Sequence, residues 1–121
     1  MVRKVRMIEI SSEKSGLVSK IQIRGKFIID EVPRFETEYM KLIGMNVTVI
    51  GVDLTETEYI DSSAVGALVK FMNTAKNSKI EIHLYNMNQS IRHIFKLAFI
   101  DRFFNITDAE ALSKMHPEIK W

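Results

Sequence analysis

The chain has 121 residues, enough for one domain with one core, and its 46% hydrophobic and 26% charged content is that of an ordinary water-soluble protein. With 17 basic against 15 acidic residues the net charge is only +2, which supplies no general drive toward nucleic acid or a membrane surface. The chain contains no cysteine, which excludes disulfides, thiolate metal sites and cysteine nucleophiles.

Arg3, Lys4 and Arg6 make a short basic start that reads as a solvated strand edge. Val5 to Ile10 predicts a strand, Ser11 to Gly16 a turn, and Leu17 to Arg24 a second strand with Leu17, Ile21 and Ile23 on one face, so the pair is expected to form a β-hairpin ended by Gly25. Asp30 opens the first helix, where Glu31 and Pro33 both suit a first turn. Val32, Phe35, Tyr39, Leu42 and Ile43 are its buried stripe and Gly44 its end. The nearly unbroken apolar run Val47–Leu54 predicts a buried central strand. Thr55-Glu56-Thr57-Glu58 reads as a solvated loop. A second helix is expected from near Ser63 to about Lys76, with Val65, Leu68, Val69 and Met72 at helical spacing.

Ile80, Ile82 and Leu84 alternate with Glu81, His83 and Tyr85, the pattern of a strand with one buried face. Asn88 can cap the following helix, whose stripe is Ile91, Ile94, Phe95 and Ala98. Phe103 to Ile106 predicts a last strand. Thr107-Asp108-Ala109-Glu110 reads as a capping box for a final helix that stops before Pro117. This order implies an α/β fold, a mixed β-sheet with helices packed mainly on one face. No apolar run approaches the ~18–20 residues of a membrane span, and the N-terminus lacks an apolar signal-peptide core. A cytoplasmic protein without membrane insertion is therefore expected.

Little in the sequence points to catalysis. His83, His93 and His116 are scattered, with no partner at metal-ligand spacing, and read as structural or solvated; no metal and no cofactor is expected. The five glycines are dispersed and form no phosphate loop, and the methionines within apolar patterns read as core filling. Asp61 is a possible base for a serine hydroxyl, but no histidine lies near it, so hydrolysis with Ser63 as nucleophile is the weakest reading. Local work for Asp61, satisfying backbone donors at a helix start, explains it better. The informative stretch is Asp61-Ser62-Ser63-Ala64-Val65-Gly66-Ala67-Leu68, which places two hydroxyls where a strand ends and a helix begins. A helix N-terminus presents unpaired N–H groups and the positive end of the macrodipole, so an anion is well tolerated there.

That stretch resembles the Asp-Ser-Ser-Gly-Leu-Gly-x-Leu signature of STAS domains, the bacterial anti-sigma-factor antagonists, with Ala64 where the signature carries glycine. Gly25-Lys26-Phe27-Ile28-Ile29-Asp30 is similar to the family's Gly-x-x-Asp approach to the first helix, lengthened before Asp30. Asn88 to Phe104 is similar to its final helix-and-strand region, so the resemblance spans roughly Leu17 to Leu112 of a chain expected to be one STAS domain over residues 1–121. The resemblance implies a phosphorylation-controlled partner switch in transcription regulation rather than an enzyme. By that resemblance, an anti-sigma factor with serine kinase activity is expected to bind the unmodified protein and phosphorylate Ser63, and a metal-dependent serine phosphatase to reverse it. Asp30, Asp61, Ser62, Ser63, Ala64 and Val65 are the implied partner-binding surface, with Ser62 left a local capping or turn role. The competing expectation is a STAS scaffold that is never phosphorylated, within a sensory or transport assembly.

Overall fold

The first two strands run further than their polar residues suggest. In the computed structural model, which describes residues 8–121, β1 (Ile8–Ser15) and β2 (Val18–Phe27) pair antiparallel up to Ser15 opposite Val18. The turn is only Gly16-Leu17, not Ser11 to Gly16 as the polar run suggests. Glu13 faces Lys20 across the ladder at 3.3 Å, and the Ser12 hydroxyl donates to Glu38 at 2.9 Å, so these polar side chains are accommodated on a paired strand. The Val5–Met7 part of the expected first strand and the basic residues Arg3, Lys4 and Arg6 lie outside the described residues.

Gly25 does not end β2. It adopts φ 98°, a conformation open to glycine, and the ladder shifts register between Gly25 and Lys26. β3 (Val49–Asp53) runs parallel to the first half of β2, from Val18 to Gln22, and β4 (Thr57–Ile60) runs parallel to its last residues, Gly25 to Phe27. β1 occupies the other edge of β2, so β3 and β4 lie end to end on one edge. β4 takes up the second half of the expected Thr55–Glu58 loop, and Thr55 and Glu56 remain a turn. Thr57 is buried and its hydroxyl donates to Ile23 O at 2.8 Å, so a threonine that looks solvated is a strand residue. Parallel β5 (Glu81–Tyr85) and β6 (Asn105–Thr107) complete the sheet in the order β1-β2-β3-β5-β6.

One face of this sheet carries Ile21, Ile23, Ile50, Val52, Ile82 and Leu84, all buried. Against it pack α1 (Val32–Ile43), α2 (Ser62–Asn77) and α3 (Gln89–Leu97), through Phe35, Leu68, Phe71 and Phe95 among others. Phe35 is the hub, with its ring 5.1 Å from Phe27, 5.3 Å from Tyr39 and 5.5 Å from Phe71, each edge-on as aromatic quadrupoles prefer. A short 3-10 turn, Ile29–Glu31, precedes α1, so Asp30 lies in that turn and Pro33 is the second residue of the helix proper.

β5 departs from the expectation of one buried face, because His83 and Tyr85 are buried as well as Ile82 and Leu84. After α4 (Ala109–Met115) the chain turns back across the second face of the sheet. Ile119 packs on Val18 and Val49, and Trp121 stands edge-on to Tyr85 at 5.7 Å over Gly51. A Cβ on Gly51 would meet the Trp121 ring at 2.5 Å, so only glycine lets the ring lie this close. Asn88 caps α3, its side chain accepting from Ile91 N at 2.9 Å. The cap of α4 is Asp108, accepting from Ala111 N at 2.8 Å, one residue later than the expected Thr107, which pairs in β6.

Candidate functional site

β4 delivers the chain to the start of α2, and Asp61 is the joint. Its N–H donates to Phe27 O at 3.2 Å, extending the pairing of β4 with β2 by one more bond. Its backbone is extended, as a helix cap requires, and its carboxylate is shared between two donors. Oδ1 accepts from Ala64 N at 2.8 Å, closing the first turn of α2, and Oδ2 accepts from Ile29 N at 2.9 Å in the turn that leads into α1. The sequence expectation of local backbone work for Asp61 is met, and doubled. Ser62 is thereby relieved of the capping role: it is the first residue of the helix and is exposed.

Ser63 is the second residue of α2 and half-buried. A helix start leaves its first four N–H groups without intrahelical acceptors. Here those of Asp61 and Ala64 are taken by Phe27 O and Asp61 Oδ1. Among the described residues the amides of Ser62 and Ser63 have no acceptor, and they remain for solvent or for an anion at the positive end of the macrodipole. Asp30 is exposed, one residue beyond the Ile29–Asp61 bond, which holds its turn beside the start of α2. Ile29 and Tyr59 add exposed apolar surface at 60% and 50% accessibility, next to residues that carry the motif. Val65 is half-buried against the core.

Ala64 corrects an expectation. It is fully buried within the core cluster, so its side chain forms no part of the exposed surface. The methyl group that replaces the signature's glycine points into the protein and leaves the approach to Ser63 unobstructed.

Two further groupings have no counterpart in the sequence reading. Asp53, at the end of β3, is buried, yet its Oδ1 accepts from Thr55 N at 3.0 Å and from the Thr55 hydroxyl, while Gln22 Nε2 donates to Oδ2 at 3.3 Å. This carboxylate organises the β3–β4 loop, and the Asp53-x-Thr55 spacing is its signal. The second grouping is Glu81, His83 and His116, which the sequence separates and the fold brings together on the second face of the sheet. That face is opposite the one on which α2 packs, so neither histidine stands beside Ser63. Among the described residues no helix is long and apolar enough to cross a membrane.

A mixed sheet with a serine-bearing helix start held by a single aspartate is the arrangement of a STAS domain. The chain belongs to the STAS domain family, whose model matches residues 9–113. It is 29% identical over 87 residues to a STAS-domain containing protein of Pseudomonas aeruginosa (strain UCBPP-PA14), covering 72% of this chain and 85% of that one. Its fold is that of the anti-sigma factor antagonist SpoIIAA in its unphosphorylated form, with a TM-score of 0.76 at 19% identity over 92% of this chain and 99% of the other. The phosphorylated form of the Bacillus protein superposes with a TM-score of 0.69 at 18% identity, over 90% and 99% of the two chains. A sulfate transporter family protein from Wolinella succinogenes shares the fold as well, with a TM-score of 0.67 at 15% identity over 84% and 88%.

Proposed function

We propose that this protein is an anti-sigma-factor antagonist that works as a phosphorylation-controlled partner switch. Unmodified, it binds an anti-sigma factor with serine kinase activity through the surface formed by Asp30, Asp61, Ser62, Ser63 and Val65, with Ile29 and Tyr59 as apolar rim. Phosphorylation of Ser63 by that kinase breaks the contact, and a metal-dependent serine phosphatase restores it. The output is control of transcription in the cytoplasm, and the protein itself performs no catalysis.

The observation that carries this reading is the position of Ser63, accessible in the first turn of α2 with unclaimed amides beside it. A phosphate adds about 1.5–2 negative charges and three acceptor oxygens at neutral pH. The helix start can hold it at little cost to the fold. A partner docked over the same surface instead meets a new anion beside Asp61 and Asp30, and burying unpaired charge there is costly. A second reading, a STAS scaffold that is never phosphorylated, draws support from the occurrence of the same fold in a sulfate transporter family protein.

Phosphosite mapping of the protein isolated from its native cell, and of the product formed with its kinase and ATP, is the test. Phosphate on Ser63, absent from Ser63→Ala, is expected. Phosphate confined to Ser62, or retained by Ser63→Ala, overturns the assignment.

A further inference from the structure

The second face of the sheet holds a grouping that the switch does not use. Glu81 and His83 are two residues apart on β5 and so project from the same face, and His116 follows α4 where the chain folds back over that face. One side-chain donor atom from each of the three lies within 4.8 Å of the others. The two imidazole rings are 6.5 Å apart, centre to centre.

The state of His83 sets this apart from a chance gathering of polar groups. The residue is only 7% exposed, and its Nε2 is buried without a hydrogen-bond partner among the described residues. Glu81 Oε2 lies 3.3 Å from that nitrogen but not in hydrogen-bond geometry. Leaving a buried polar atom unsatisfied is costly, so a nitrogen in this state, close to a carboxylate and a second imidazole, is expected to have a ligand.

We propose that Glu81, His83 and His116 form a binding site for a late first-row divalent cation of the Zn²⁺ type. Two imidazoles and one carboxylate are borderline donors that suit zinc, nickel or copper, whereas magnesium and calcium require oxygen donors. Three protein ligands with water in the fourth position complete a tetrahedron. Bond lengths of about 2.0–2.1 Å place tetrahedral ligand atoms about 3.4 Å apart, closer than the widest separation here. Glu81 is exposed and His116 half-buried at the end of its helix, so both side chains can close on the fixed His83. His116 also accepts the Trp121 indole N–H at its carbonyl, 2.8 Å away. A cation here therefore fastens the C-terminal segment to the sheet and stabilises the folded state by binding it selectively.

Calorimetric titration of the metal-free protein with Zn²⁺ tests this, together with Glu81→Gln, His116→Ala and the control His93→Ala, each checked for native circular dichroism. The expected result is one Zn²⁺ per chain, with affinity lower by about tenfold or more in Glu81→Gln and His116→Ala and unchanged in His93→Ala. Paramagnetic Co²⁺ should quench the single tryptophan, Trp121, in the wild type and lose that effect in His116→Ala. Failure of the wild type to bind Zn²⁺, or binding that survives intact in both ligand variants, overturns the proposal. Neither result bears on Ser63.

Discussion

The Asp61 carboxylate and the Ile29 amide are hydrogen-bonded at 2.9 Å across 32 positions of sequence, while the same carboxylate caps α2 through Ala64. One side chain thus fixes both the helix start that presents Ser63 and the turn that presents Asp30. Asp61→Ala should remove an N-cap, at about 1 kcal/mol, and a charge-assisted bond to Ile29 of similar size. The sum expected in urea unfolding is about 2 kcal/mol. Asp61→Asn retains one acceptor oxygen and should lose about half as much.

Trp121 over Gly51 supplies an optical reporter for the C-terminal segment. Gly51→Ala places a methyl group at 2.5 Å from the ring, which must swing outward. The tryptophan emission should shift to the red, with a loss of about 1–2 kcal/mol in stability as the packing on Tyr85 loosens. An unchanged emission spectrum would show that the ring does not occupy this place in solution.

How much of this was legible beforehand depended on whether the signal was local. The run Val47–Leu54 and the stripes of Phe35, Tyr39 and Leu42 or Ile91 and Phe95 declare their elements, since each carries its own period. Asp61 is legible as a cap from its place ahead of Ala64 and the helical pattern. β4 was not, because Thr57–Ile60 has only four residues and its two buried ends, Thr57 and Ile60, do not alternate with the exposed pair between them. Its strand character comes from pairing with β2, a partner about 30 residues away. The burial of His83 and Tyr85 was hidden for the same reason. Nothing in β5 indicates that residues 116–121 return to cover its second face. Ser11 to Ser15 misled in the opposite direction, because turn-forming composition outweighed a ladder fixed by the partner strand.

Tyr85 makes alkaline stability a measurable property. Its hydroxyl is buried beside Asp53 without hydrogen-bond geometry, and burial first, then the Asp53 charge, pushes its pKa well above the ordinary 10. The unfolded chain loses this proton near pH 10 while the folded chain keeps it, so the unfolded state binds fewer protons above that pH. The stability contribution is whole below pH 10 and falls as pH rises further. Tyr85→Phe should flatten the decline between pH 10 and 11 in denaturant titrations, and at pH 7 it should cost little, since it removes an unsatisfied hydroxyl. An equal slope in both proteins would show that Tyr85 is not the group responsible.

Phe35 should be the most damaging single truncation among the core aromatics, because it touches Phe27, Tyr39 and Phe71 at once. Phe35→Ala is expected to cost about 3–5 kcal/mol, a large share of the roughly 5–15 kcal/mol typical of a domain. The midpoint of thermal or urea unfolding reads this directly, and a loss below about 1 kcal/mol would mean that the cluster is loosely packed in solution.

The most direct test of the switch is calorimetric titration of the serine kinase partner against four forms: unmodified, phosphorylated on Ser63, Ser63→Asp and Ser63→Ala. The unmodified and Ser63→Ala proteins should bind alike, because alanine removes the acceptor hydroxyl and leaves the Asp61-capped helix start in place. The phosphorylated protein should bind about tenfold more weakly or worse, with Ser63→Asp in between, since a carboxylate carries fewer oxygens and less charge than a phosphate. Indistinguishable affinities for the unmodified and genuinely phosphorylated proteins would contradict the switch and leave the constitutive scaffold as the better account.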